Sequence, residues 1–202
     1  MSVRGRKPAE ERKSQIIEAA LELTAEMGPG RVTTEALARA VGITQPGIFR
    51  HFPKKSDIWK AVAQRIGALL RESQSAGQNE GLTGSDPLGN FVAGHLRFLQ
   101  DTPAVPALLF SRELHAENDD LRVFFAGLVQ NGHAFLTRII AGEVKAGRYD
   151  KALEAEDAAY LILALVQGLA MRWSLEGQHF DLVAEGRRLL ALQTAGFKAR
   201  SG

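Results

Sequence analysis

The sequence contains no cysteine. That excludes a disulfide framework, a thiolate metal site and a cysteine nucleophile, and it fits a reducing compartment. Proline is confined to the first half: all seven lie at or before Pro106, so nothing from Ala107 onward imposes the break that proline forces on a helix. Long apolar runs are missing too. The longest, Ala158 to Trp173, is interrupted by Gln167 and Arg172 and falls short of the roughly 20 residues a bilayer crossing needs. Met1 to Lys13 is polar and basic, without the apolar core of a secretory leader, so the expectation is a soluble, cytoplasmic protein with no membrane partner. No glycine-rich phosphate loop, nucleophile elbow or HExxH motif occurs. An enzyme with an all-α pocket therefore has only a possible cavity to rest on.

What is present is enough for a core. The chain has 202 residues, 45% of them hydrophobic, which suits one or two compact domains. Its net charge of +2 is unevenly spread: residues 1–60 carry eleven Lys and Arg against seven Asp and Glu, and residues 61–202 carry fourteen against sixteen. An anionic partner belongs at the positive end.

Apolar spacing reads as helix throughout, and the fold class is all-α with about nine helices. From Ala9 to Met27, Ile16, Ile17, Ala20, Leu21, Thr24 and Met27 share a face, and Gly28-Pro29-Gly30 ends the run. Thr33-Thr34-Glu35 supplies a hydroxyl cap and a first-turn acid for a helix of about two turns that closes at Gly42. Thr44 can cap a third helix with Pro46 in its first turn, and Pro53 terminates it after Phe52. A fourth begins near Lys54 and carries Ile58, Val62, Ile66, Leu69 and Leu70. Ser73 to Pro87 has the small, polar composition of a loop. Beyond it the periodicity predicts helices at about Leu88 to Gln100, Ala104 to His115, Asn118 to Lys145, Glu156 to Leu175 and Phe180 to Ala199.

Thr33 to Phe52 has the anatomy of a helix-turn-helix. Gly42 supplies the positive φ that the turn needs, and Val41, Ile43 and Ile48 are expected to hold the crossing angle. The start of the second helix is then free to enter a major groove with Thr44, Gln45, Pro46, Gly47, Phe49, Arg50 and His51. Gln45 can make a bidentate contact to adenine, and Gly47 permits close backbone approach to DNA. Thr33, Thr34 and Thr44 place hydroxyls and free amides where phosphate oxygens would lie. Lys54 and Lys55, with Arg4, Arg6 and Lys7 in the tail, would hold the duplex electrostatically.

The stretch QIIEAALELTAEMG followed by VTTEALARAVGITQPGIFRHFPKKSDIW, about residues 12–59, resembles the TetR-type transcriptional repressors. Its closing residues Phe49, Arg50, His51, Phe52 and Lys55 fit the family's aromatic-x-His-Phe ending with a Lys three residues later. There are two departures. The family usually has Tyr where Phe49 stands, and its hydroxyl commonly contacts a phosphate, so Phe49 is left to packing; Lys54 replaces a common Ser or Asn cap, so the start of helix four is less well capped. The resemblance implies a DNA-binding domain at 1–55, a connecting helix at 55–72, and a domain at 73–202 that dimerises and encloses a small-molecule pocket. It implies a homodimer on a palindromic double-stranded operator, released by an effector, with no cofactor. A nonspecific architectural role on DNA is the other non-enzymatic reading.

In that second domain, Glu156 to Leu175 is apolar nearly all round and must be covered on both sides, by its own core and by a partner chain. Leu182, Val183, Leu189, Leu190, Leu192 and Phe197 are expected to complete the interface, so dimerisation runs through the last two helices. Candidate ligand-facing residues are Phe91, His95, Phe98, Phe110, His115, Phe124, Phe125, Leu128, Tyr160, Leu163 and Gln167, with Phe135 beside them. Aromatics at helical spacing also make plain core; as a group they point to an apolar or aromatic effector, with His95, His115, Arg112 or Gln167 to orient it. The five histidines show no HxxxH pair, and Glu113 and Glu117 read as solvated faces, so no metal site is expected.

Overall fold

The computed structural model describes residues 8–78 and 86–198. Its described residues form ten α-helices and one 3-10 turn, with no strand: α1 (Ala9–Met27), the 3-10 turn (Pro29–Arg31), α2 (Thr34–Ala40), α3 (Gln45–His51), α4 (Lys55–Gln78), α5 (Pro87–Asp101), α6 (Ala104–Leu109), α7 (Arg112–Glu117), α8 (Asp119–Lys145), α9 (Ala155–Leu175) and α10 (Leu182–Ala195). The chain divides into two compact units, one drawn from Met1–Leu69 with Ala107–Phe124, the other from Leu70–Pro106 with Phe125–Gly202.

In the first unit, α1 opens with Glu10 and Glu11 against its positive end and closes at Gly28, whose φ of 80° no L side chain adopts readily. Ile16, Ala20, Leu21 and Thr24 are buried, while Met27 is exposed. The buried Thr24 hydroxyl donates to the Ala20 carbonyl at 2.6 Å, which removes the cost of hiding it. Val32, Leu37, Ile48, Phe52, Ile58, Trp59, Val62 and Ile66 complete the core.

In the second unit, α10 lies along α5 and α9. The Leu182 N–H donates to Gln100 Oε1 at 2.9 Å, the Trp173 indole N–H donates to the Phe180 carbonyl at 3.0 Å, and buried Gly186 lets Leu96 approach the α10 backbone. Asp181 caps α10 through the Ala184 N–H. In the last turn of α8, buried Glu143 takes two 2.6 Å hydrogen bonds from Arg148 in the connection to α9, which hold its carboxyl below the usual range against the opposing effect of burial.

Three expectations need correction. The helix expected at Ala104 to His115 is two, because Ser111 takes an extended backbone and its hydroxyl accepts from the Leu114 N–H to start α7. Helix four runs to Gln78, into the segment whose composition reads as a loop; its remaining positions 79–85 lie outside the described residues. With 21 residues, α9 is also apolar enough by length and composition to cross a membrane, which the run Ala158 to Trp173 alone is not. Its inward face, Ala159, Ile162, Val166, Leu169 and Trp173, is buried where it meets α5 and α10. The other face leaves Tyr160, Leu161, Met171 and Leu175 exposed.

Candidate nucleic-acid interface

The turn between α2 and α3 is built by its backbone. Thr33 accepts the Ala36 N–H at 3.1 Å to start α2, and Leu37 and Ala38 point inward. After Val41, Gly42 takes φ 68°. The Ile43 N–H then reaches back to the Ala38 carbonyl at 2.9 Å and the Gly42 N–H to the Arg39 carbonyl at 3.2 Å, the paired bonds of a Schellman ending. Arg12 of α1 donates to the Val41 carbonyl at 3.1 Å and to Gln15 at 2.9 Å, tying the first helix to this turn.

Of the three residues expected to hold the crossing angle, Ile48 is fully buried, whereas Val41 and Ile43 are only half-buried. Thr44 stands at the cap position of α3, but its hydroxyl makes no capping bond. The physical reason lies in the second and third residues of the helix. Pro46 has no N–H, and the Gly47 N–H goes to the Thr44 carbonyl at 2.8 Å. A Cβ on Gly47 would lie 3.4 Å from both Ile43 Cδ1 and Thr44 Oγ1, so a side chain there would sit in close contact with the turn.

Thr44, Pro46, Phe49 and Arg50 are exposed along one edge of α3, with Gln45, Gly47 and His51 half-buried, and Thr33, Lys54 and Lys55 are exposed nearby in sequence. At 41% exposure Phe49 faces solvent rather than packing inward, which corrects the reading of it as a packing residue. Thr34 is placed differently from expectation: its side chain is buried, and its hydroxyl serves Glu35 and Gln45 instead of pointing outward. Arg4, Arg6 and Lys7 lie outside the described residues.

Two features escaped the sequence reading. The start of α4 is capped from within: Asp57 reaches back to the Lys54 N–H at 2.9 Å, the reciprocal half of a capping box, and the Lys-x-x-Asp spacing was its signal. The second is a polar knot across the turn. Gln45 Nε2 donates to Thr34 Oγ1 at 2.9 Å and to Glu35 Oε1 at 2.5 Å, and the Thr34 hydroxyl is 3.4 Å from Glu35 Oε2. The backbone N–H of Glu35 and then the Thr33 hydroxyl hold the Glu35 carboxyl below its usual range against the opposition of burial, with smaller help from Thr34 and Arg39.

The ligand-facing candidates separate into two groups. On α5, Phe91 stacks with His95 at a centroid distance of 6.2 Å and meets Phe135 of α8 at 4.7 Å, while His95 lies 6.3 Å from Phe98. Burial pushes His95 down to about 4, so the ring is neutral at pH 7. In the same unit Phe98 and Phe125 are buried, and Leu128, Leu163 and Gln167 are half-buried. Tyr160 is not an inward residue: it is 56% exposed and stacks on His133 at 3.8 Å. Phe110, His115 and Phe124 belong to the other unit, as does exposed Arg112, and a His115 ring nitrogen lies 3.0 Å from the Leu109 carbonyl at the break between α6 and α7. Among the described residues no group of three metal-ligating side chains comes together.

The residues expected to form the dimer face divide as well. Leu182, Leu190 and Phe197 are buried in their own unit, Phe197 edge-on to Tyr149, whereas Leu192 is 65% exposed. On α9 the outward residues Leu161, Ala164, Gly168, Met171 and Leu175 recur at alternating steps of three and four.

The pattern described as "Bacterial regulatory proteins, tetR family" matches residues 16–62, and the pattern described as "YsiA-like protein, C-terminal region" matches residues 62–196. The nucleoid occlusion factor SlmA of Haemophilus ducreyi is 31% identical over 128 residues, 61% of this chain, and the chain spans only 63% of that relative's length. The HTH-type transcriptional regulator TtgR of Pseudomonas putida is 28% identical over 189 residues, 90% of this chain and 89% of that protein. Among solved structures, FadR from Bacillus subtilis, described as a transcriptional regulator in complex with stearoyl-CoA, shares the fold at a TM-score of 0.69, with 22% identity, 91% of this chain covered and 98% of that one. Matched continuously from residue 16 to residue 196, with the α2–α3 turn inside the first of the two patterns, the chain belongs to the tetR family of bacterial regulatory proteins.

Proposed function

We propose that the protein is a homodimeric, cytoplasmic transcriptional repressor that leaves a palindromic DNA operator when a small apolar or aromatic effector binds. The observation that carries this reading is the edge of α3: Ile48 anchors the helix while Thr44, Phe49 and Arg50 stand exposed beside it. Two such edges, one per subunit, would meet successive major grooves about 34 to 36 Å apart. The domain assignment follows the same logic, with 1–55 on DNA, 55–72 as connector and 73–202 for effector and partner. The basic tail of Arg4, Arg6 and Lys7, with Lys54 and Lys55, supplies phosphate attraction.

Pairing through α9 and α10 is supported by the outward stripe of Leu161, Ala164, Gly168, Met171 and Leu175, with Ala184, Ala191 and Leu192 exposed on α10. Small residues in that stripe let helices approach closely, and its spacing suits two-helix packing. Phe91, His95, Phe98 and Phe135 form the apolar cluster assigned here to the effector, and a protein of the same fold solved in complex with stearoyl-CoA supports an apolar ligand class. A differential affinity of about 1 to 3 kcal/mol between the bound and released forms couples effector to operator usefully.

Footprinting on duplexes enriched from random sequence tests the reading. The expected result is protection of two half-sites, abolished by Gln45→Ala with Arg50→Ala. Protection that the double variant leaves intact would remove α3 as the reader. Leu161→Asp with Leu192→Asp should yield single chains in light scattering and lose the half-site pair; a dimer that persists would place the interface elsewhere.

A further inference from the structure

Gln45 is the first residue of α3, and its carboxamide nitrogen carries two protons. One goes to Thr34 Oγ1 and the other to Glu35 Oε1. The Thr34 hydroxyl directs its own proton toward Glu35 Oε2, which leaves its oxygen to accept from Gln45. The arrangement has only one sense. A carboxylate accepts and never donates, so turning the carboxamide end for end would set its oxygen against the Glu35 oxygens. Glu35 stays ionised at pH 7, because its own N–H and the Thr33 hydroxyl stabilise the charge. Among the described residues nothing donates to Gln45 Oε1, so this oxygen is what the side chain has left to offer a ligand.

Each base pair shows the major groove a distinct set of donors and acceptors. Adenine N6 and cytosine N4 are donors, guanine presents two acceptors, and thymine presents an acceptor beside its methyl group. A glutamine free to use both ends reads adenine through N6 and N7 together. One whose N–H groups are held within the protein cannot.

The geometry points to Glu35 as the residue that sets what Gln45 reads: with both N–H groups held by Thr34 and Glu35, Gln45 meets the groove as an acceptor alone and selects a base bearing an exocyclic amine, adenine or cytosine. This rests on the reading of α3 as the groove-entering helix. Glu35 is a positioning residue, exposed on α2 and acting through Gln45.

The test starts from the site that the full-length protein enriches from random duplexes. Gln45→Ala identifies the base pair whose preference depends on Gln45, and fluorescence anisotropy at one fixed salt concentration measures analogues placed there. Removing the exocyclic amine, with unsubstituted purine for adenine or 2-pyrimidinone for cytosine, should weaken wild-type binding about tenfold, and whichever analogue does so tells the two bases apart. Replacing N7 of the purine in that pair by carbon should change binding less than about twofold. Glu35→Ala frees one carboxamide N–H, so an N7 penalty should appear beside the amine penalty; an unchanged far-ultraviolet circular dichroism spectrum and thermal midpoint show that the variant is folded. Three results overturn the inference: an N7 penalty equal to the amine penalty in the wild type, a base profile identical in Glu35→Ala, or no base preference that depends on Gln45. Failure of the wild type to enrich any sequence is a different result. It removes the DNA-reading role of α3 and this inference with it.

Discussion

Gly186→Ala tests the seam between α5 and α10. A methyl group built on Gly186 overlaps Leu96 Cδ1 and lies 3.5 Å from Leu96 Cγ and 3.8 Å from Leu169 Cδ1. Leu96 is fully buried, so its tip has no open side to move into and must find another rotamer inside a filled core. Overpacking of this kind costs about 1 to 3 kcal/mol, against a gain of about 1 kcal/mol from replacing a mid-helix glycine by alanine. The net expectation is a loss of up to about 2 kcal/mol. Gly132→Ala in α8 is the matched control, since nothing lies within 4 Å of its added methyl and only the helix gain remains. Urea unfolding followed by circular dichroism, at one protein concentration, should therefore separate the two midpoints. With a slope of roughly 2 kcal/mol/M, the separation is about 0.5 to 1.5 M. Leu96→Ala should also cost less in the Gly186→Ala background than in the wild type, because the added methyl fills part of the space. Two glycine variants whose midpoints rise together would refute the described packing of α10 on α5.

Stability should fall on mild acidification because of His95. Its folded value of about 4 lies below the usual 6.5, so the unfolded chain binds the extra proton; this share of stability is complete above pH 6.5 and is lost as pH falls toward 4. For a half-buried ring the loss is about 2 to 3 kcal/mol at most, and urea midpoints at pH 7.5 and 5 should converge in His95→Leu relative to wild type. Arg148→Met should lower the midpoint by leaving the buried Glu143 carboxylate uncompensated, and adding Glu143→Gln should restore most of it; additive losses would contradict the pairing. Gly42→Ala should cost about 1 to 2 kcal/mol at φ 68°, and Gly42→Asn less, by the same assay.

How much of this was readable in the sequence depended on how local the cause was. Gly42 announced itself because an apolar period stops at Val41 and resumes at Ile43, and the backbone bonds of the turn involve no residue more than five positions away. The break at Ser111 did not, since Ala107, Phe110 and Leu114 keep the helical spacing of three and four across it and neither proline nor glycine marks it. Composition misjudged Ser73 to Gln78 because small polar residues suit a loop and a helix end alike. Tyr160 was misassigned for a related reason: α9 is apolar nearly all round, so periodicity carries no information about which side faces its own core. The knot of Thr34, Glu35 and Gln45 spans ten to eleven positions across a change of helix direction. No repeat interval encodes it.

The tight seating of α10 on α5 carries a mechanical implication. Phe91, His95 and Phe98 hang from the same rod that Gly186 and the Gln100–Leu182 bond clamp against the last helix. Any shift of α5 is therefore passed to α10 through the Leu96–Gly186 contact and the Gln100–Leu182 hydrogen bond.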